Sequence, residues 1–307
     1  MTTLHWQDHH THLVLPTPPE FRFSAVLGYL TRSTNECLFH VEEEKVYKLL
    51  PLESEDVLVE VSHSATDSGL LVRFLHKNPN EPELREQTAQ YVREWFDLDR
   101  DLQPFYDLAE DDPVLREVVQ EHYGLRIVGV PDLFEALCWA ILGQQINLAF
   151  AYTLKRRFVE TYGRKVEWEG RTYWLFPRPA DVADLTVDAL RDLQFTTKKA
   201  EYVIGVAHLM SQGTLSKQHL HQLDNLRAIE KELVKIRGIG PWTAHYVIMR
   251  CLRLPAAFPL EDVGLHNAIK HVLHLDSKPT RQELLDLSEG WGEWKAYATF
   301  YLWRMLY

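Results

Sequence analysis

The stretch from Leu233 to Asp262, LVKIRGIGPWTAHYVIMRCLRLPAAFPLED, constrains what this chain can fold into more than any other. Leu226 to Ile236 reads as a helix, with Asp224 or Asn225 as its N-cap. Gly238-Ile239-Gly240 then interrupts it, and the two glycines supply the backbone freedom and missing Cβ that a tight turn requires. Pro241 suits the first position of a following helix, where its absent N–H costs nothing. That second helix carries Trp242, Tyr246, Met249 and Arg250 and ends near Leu254-Pro255. The product is a pair of helices joined by a hairpin whose N–H groups are left uncovered, a seat for a phosphate.

A carboxylate waits beyond the second helix. A helix of roughly 13 residues runs about 20 Å, and the loop on to Asp262 spans up to about 26 Å when extended. The chain can therefore return Asp262 to the start of that helix, beside Trp242 and Tyr246. Asp262 also precedes a third helical pattern, Val263 to Leu273, whose N-terminus favours a negative charge. A capping role and a chemical role are both open to it.

The rest of the chain divides in two. From residue 1 to about 112, short segments rich in Val, Leu and Phe (Leu38 to Leu50, Asp56 to His63, Leu70 to His76) suggest an antiparallel sheet. Val57, Val59 and Val61 alternate with Asp56, Leu58, Glu60 and Ser62, which apart from Leu58 are polar, as in a half-buried strand. Glu81 to Phe96 is helical in pattern, and the acidic, proline-broken stretch from Asp97 to Asp112 is the boundary. Residues 113–307 read as helical throughout: Val114 to Tyr123, a strongly apolar Asp132 to Phe158 interrupted near Gly143, and further helices to Leu306. Only Arg164 to Pro179 departs, as an irregular excursion or small hairpin. The expected class is α+β, a sheet domain followed by an all-α unit.

Composition enters where partners are concerned. The net charge of −11 argues on its face against a nucleic acid, but its distribution does not. Residues 1–120 hold 23 acidic and 10 basic side chains, and the remainder hold 21 and 23. Leu233 to Leu260 contains no acidic residue, against Lys235, Arg237, Arg250 and Arg253. A local basic surface is what duplex binding needs. No apolar run reaches the length of a membrane span, and the start lacks a basic region followed by an apolar one, which predicts a cytoplasmic chain with no membrane partner. Cys37, Cys138 and Cys251 are widely spaced and show no metal-ligand pattern. His9-His10-x-His12 is the one histidine cluster, and it is read as incidental.

Taken together, hairpin, Gly/Pro-rich return loop and aspartate resemble the HhH-GPD DNA glycosylase superfamily, and are most similar to the bacterial 3-methyladenine DNA glycosylase II type. The resemblance extends over nearly the whole chain. It takes in Leu27-Gly28-Tyr29, Gly124-Leu125-Arg126, Ile141-Leu142-Gly143-Gln144-Gln145, Phe176-Pro177-Arg178-Pro179 and the run Trp291 to Ala298 followed by Trp303. It implies an all-α glycosylase core with two helical subdomains flanking a DNA cleft. It implies Asp262 as the catalytic carboxylate, and Trp242, Tyr246, Trp303 and Tyr29 as walls of a pocket for an extruded base. It implies Leu125 as the residue wedged into the vacated stack. Arg237, Gly238, Ile239, Gly240 and Arg250 would grip a phosphate, and the carbonyls of Val234, Ile236 and Ile239 would hold an alkali ion. Trp242 stands where lyase members carry a nucleophilic lysine, which implies a monofunctional enzyme without lyase chemistry. Three cysteines are too few for the iron–sulfur branch, and no cofactor is expected.

The function implied is hydrolytic excision of alkylated purines from double-stranded DNA in base excision repair, by a monomer. N3- or N7-alkylated purines are cationic and depart without a general acid, so one carboxylate facing the sugar suffices. The alternatives are a monofunctional glycosylase for uracil, hypoxanthine or oxidised bases, and a hairpin that only binds DNA.

Overall fold

A computed structural model describes residues 6–64 and 69–306. Six antiparallel strands, β1 (Gln7–Asp8), β2 (His12–Pro16), β3 (His40–Glu42), β4 (Lys45–Pro51), β5 (Asp56–His63) and β6 (Gly69–Phe74), form one sheet in the order β1-β2-β6-β5-β4-β3. The expected segment Leu38 to Leu50 is two strands, because Glu43 and Glu44 both take positive φ and reverse the chain. β1 and β2 were invisible to the pattern, being short and interrupted by histidines and prolines. Val57, Val59 and Val61 are at most 1% exposed, on the face packed against the helices.

The opposite face of β5 is covered as well, contrary to the half-buried expectation. Residues 164–179 do contain a hairpin, β7 (Lys165–Trp168) with β8 (Arg171–Trp174), and it lies on that face. Tyr173 and Leu175 pack on Leu49 and Leu58 in a second small core. Arg171 grips Glu42 at 2.6 Å, and Arg164 pairs with Asp56. The excursion is a clamp from the helical half onto the sheet.

The helices used below, in chain order, are α1 (Phe23–Leu30), α2 (Pro82–Trp95), α3 (Leu133–Gly143), α4 (Leu148–Tyr162), α5 (Thr197–Ser211), α6 (Leu226–Leu233), α7 (Pro241–Arg250), α8 (Val263–Val272) and α9 (Lys295–Trp303), with further helices between them, Gln103–Asp111 among these. The apolar stretch breaks at Gly143 as expected, and both pieces are capped. Asp132 accepts from the Glu135 N–H at 2.6 Å, and Asn147 from the Phe150 N–H at 2.8 Å. The last stretch, whose pattern reads as one helix from Arg281 to Leu306, is broken: Arg281–Leu287 is followed by a 3₁₀ turn kinked at Gly292, whose φ is 50°. One continuous apolar core runs from Leu13 on β2 to Trp303 on α9. Sheet and helices thus share an interior, and the cleft described next opens between α1, α3, α7, α8 and α9. No helix among the described residues is long and apolar enough to cross a membrane.

Candidate active site

The hairpin forms largely as its residues dictate. Asn225 caps α6 by accepting from the Ala228 N–H at 3.0 Å, and the helix stops at Leu233. Gly238 takes φ +93°, and a Cβ there would lie 2.2 Å from the Tyr202 ring, so both the turn and its packing demand glycine. Gly240 differs. Its φ of −94° suits any residue and nothing lies within 4 Å of its missing Cβ. No contact inside the chain requires a glycine there.

The return loop brings Asp262 back to α7. Phe258 N–H donates to Nδ1 of His245 on α7 at 2.9 Å, Ala296 N–H to the Pro255 carbonyl at 2.9 Å, and Asp262 N–H to the Pro259 carbonyl at 2.9 Å. Asp262 caps α8 and is held at both carboxylate oxygens. Oδ1 accepts from the Leu265 N–H at 2.7 Å and from the Trp303 indole at 2.9 Å; Oδ2 accepts from the Trp242 indole at 2.9 Å. The capping and chemical readings are therefore compatible, since the cap fixes the carboxylate in a cleft instead of hiding it. Gly264 makes the Trp303 contact possible: a Cβ there would stand 2.9 Å from Oδ1 and 3.3 Å from the indole nitrogen.

Around the carboxylate is a cleft of about 840 Å³, lined by Tyr29, Trp139, Trp242, Tyr246, Asp262 and Trp303 among others. Trp242 and Tyr246 have ring centroids 5.8 Å apart, and Tyr246 and Trp303 6.1 Å, each pair tilted by 32°. No lysine lines this cleft among the described residues. Burial pushes the Tyr246 phenol up, with the nearby Arg250 charge opposing, so it remains a neutral hydrogen-bonding group.

Three assigned roles are corrected. Leu125 is fully buried, its carbonyl accepting from the Tyr301 hydroxyl at 2.7 Å, so it cannot enter a base stack. Arg250 is only 3% exposed and lies beneath the cleft, where its guanidinium donates to the Val128 carbonyl and to the Tyr29 and Tyr246 hydroxyls at 2.8, 2.8 and 3.0 Å. It cannot reach a phosphate. The Ile239 N–H is spent within the turn, on the Ile236 carbonyl at 3.0 Å. Of the four basic residues between Leu233 and Leu260, Arg253 too is turned inward, onto Asp97 at 2.9 Å. Lys235 and Arg237 remain exposed, and Arg237 meets Glu201 at 2.6 Å.

Reasoning from sequence missed Gly264 and Arg32, and it placed Gln144 and Gln145 in a resembling segment without giving either a role. Arg32 lies over Tyr29, 3.8 Å from its ring centroid, and lines the cleft. Gln145 is exposed at the mouth with φ +57°, a conformation uncommon for a residue with a side chain. The signal for Gly264 was available: a glycine in the first turn of a helix is costly by roughly 1 kcal/mol against alanine and asks for a reason.

Residues 138–293 match the HhH-GPD superfamily of base excision DNA repair proteins, and residues 13–137 the N-terminal domain of 8-oxoguanine DNA glycosylase. A DNA-3-methyladenine glycosylase of Bacillus subtilis is 50% identical over 98% of this chain and 99% of its own length. DNA-3-methyladenine glycosylase 2 of Escherichia coli is 29% identical over 59% of this chain and 60% of its own. Among solved structures, 3-methyladenine DNA-glycosylase from Archaeoglobus fulgidus superposes with a TM-score of 0.81 over 95% of this chain and 97% of that one at 21% identity. An 8-oxoguanine glycosylase/lyase of Clostridium acetobutylicum in complex with double-stranded DNA gives 0.76 over 97% and 96%, at 20% identity.

Proposed function

The chain belongs to the HhH-GPD superfamily of base excision DNA repair proteins, and we propose on that premise that it hydrolytically excises alkylated purines, of the 3-methyladenine and 7-methylguanine type, from duplex DNA. The observation that carries this reading is a carboxylate gripped by two indoles at the edge of an aromatic cleft large enough for a base. Breaking an N-glycosidic bond makes the sugar oxocarbenium-like, and a fixed anion beside it lowers that barrier. Asp262 supplies the anion. Its donors come from the protein, so its orientation is set before the substrate arrives.

The target bond is inaccessible inside a duplex, so the nucleotide must be extruded. Trp242, Tyr246, Trp303 and Tyr29 would receive the base, and a cationic purine gains about 0.5–2 kcal/mol from each well-placed aromatic face. Such a base needs no general acid to leave. With no lysine among the described residues that line the cleft, no Schiff base with the sugar is formed, and an intact abasic site is the product.

On the DNA side, Gly240 leaves room for a phosphate at the N-terminus of α7, where uncovered N–H groups favour an anion. Arg237 exchanges Glu201 for a phosphate. Gln145, in place of Leu125, fills the vacated stack. The carbonyls of Val234, Ile236 and Ile239 are hard oxygen donors suited to an alkali ion. Ile236 keeps a second lone pair beside its turn hydrogen bond. An ion held by these carbonyls would supply positive charge at the hairpin.

The test is release of free base from methylated duplex DNA, identified by chromatography, alongside uracil, hypoxanthine and 8-oxoguanine duplexes. Release of 3-methyladenine and 7-methylguanine without borohydride-trapped adducts or strand nicking is expected. Release of only uracil or oxidised bases, or DNA binding without release, refutes the reading.

A further inference from the structure

Gln144 follows α3 directly, and its side chain leaves the loop that holds it. Its amide nitrogen donates to the Gly238 carbonyl at 2.9 Å, in the hairpin, and to the Thr243 hydroxyl at 3.0 Å, in the first turn of α7. Thr243 is 2% exposed, so its side chain is fixed by packing. On the other side of the loop, buried Lys199 of α5 donates to the Leu142 carbonyl at 2.7 Å, pinning the end of α3. Directly after these anchors comes Gln145, exposed at the mouth of the cleft, where Ile146, Asn147 and Leu148 follow it along the rim.

We propose that Gln144 is a positioning residue that couples the phosphate-gripping hairpin to the loop entering the base stack, so that seating a phosphate on the hairpin and extruding the nucleotide are one mechanical event. The physical basis is the geometry of one amide. A neutral NH2 that gives one hydrogen to each of two acceptors holds its loop in register with the hairpin and the start of α7. The strained φ of Gln145 persists only if its neighbours are held in place. A hairpin that settles onto DNA then carries Gln145 with it into the duplex. The catalytic part of this inference rests on the function proposed above.

The experiment compares Gln144→Leu, which removes the donor at similar volume, with Thr243→Val, which removes one acceptor. Extrusion is followed by fluorescence of 2-aminopurine beside an alkylated purine, in the Asp262→Asn background so that no base is released. Excision is measured in the otherwise wild-type chain on duplex and single-stranded substrates. Gln144→Leu should leave affinity for undamaged duplex within about threefold and reduce extrusion and duplex kcat about tenfold, the scale of one or two neutral hydrogen bonds. On single-stranded DNA, where no unstacking is required, the deficit should shrink to under about threefold. Thr243→Val should lie between Gln144→Leu and wild type, and the two changes together should be less than additive. Equal deficits on duplex and single-stranded DNA would overturn the proposal in favour of a pocket role, as would undiminished extrusion. A wild type that extrudes but releases no alkylated purine sinks the proposed function while the fluorescence still decides Gln144.

Discussion

Replacing Asp262 by asparagine is the sharpest perturbation, because the structure fixes two separate consequences. The first is on the chemistry. A unit negative charge about 4 Å from a sugar carbon, at an effective dielectric near 20, contributes about 4 kcal/mol, or roughly a thousandfold in rate. The second is on stability. Asp262 is 9% exposed and receives three N–H donors, two on Oδ1 and one on Oδ2. The amide keeps the Leu265 and Trp303 bonds through its single oxygen, but then turns its NH2 onto the Trp242 indole, 2.9 Å from Oδ2 in the parent. Two donors facing each other in a confined site cost about 1–3 kcal/mol. Single-turnover release of 7-methylguanine should therefore fall by about three orders of magnitude, with duplex affinity little changed. Denaturant midpoints should report the second loss. Adding Trp242→Phe removes the opposing donor, so the double variant should be more stable than the sum of the two single changes by a similar 1–3 kcal/mol. Excision by Asp262→Asn within tenfold of the parent would refute the electrostatic argument, and strict additivity in stability would refute the donor geometry.

Other outcomes follow from the same contacts. Leu125→Ala should cost about 2–5 kcal/mol of stability, while excision per folded molecule at low temperature stays near wild type; a stable variant defective in extrusion would restore the wedge. Gly238→Ala should destabilise by more than about 1 kcal/mol, whereas Gly240→Ala should shift the melting temperature little and weaken retention on duplex DNA, measured by anisotropy at fixed salt. Burial holds the His245 imidazole below its usual 6.5, the nearby Glu230 opposing, and its Nδ1 accepts the Phe258 N–H. The unfolded chain thus binds the proton more readily, so the stability due to neutral His245 is present above about pH 6.5 and is lost as pH falls through the depressed folded value. Urea midpoints at pH 7.5 and 5.5 should diverge less in His245→Asn, whose amide oxygen can replace Nδ1; an unchanged slope would exclude His245 as the source.

Much of this protein was legible in its residues, for reasons that are local. The hairpin, Pro241 at a helix start, the Asn225 cap and the break after Gly143 all depend on backbone preferences within a few positions. The reach of Asp262 back to Trp242 followed from chain length alone. Burial was less legible. Leu125 and Arg250 have the chemistry of a wedge and a phosphate ligand, yet both are interior, because a segment far along the chain packs over each: Tyr301 onto Leu125, and Tyr29 with Val128 around Arg250. The β7–β8 hairpin likewise sealed a sheet face whose alternation read as open to solvent.

By itself the sequence determined the identity of the elements and the set of chemical groups: one aspartate at a helix start, a cluster of aromatic residues, two glycines in a turn. Only the tertiary structure decided which groups face a common space. Two indole N–H groups from α7 and α9, 61 residues apart in the chain (Trp242 and Trp303), meet on one carboxylate because the core drives those helices together. Local propensity carries no information about such an encounter; burial of apolar surface across the whole chain does.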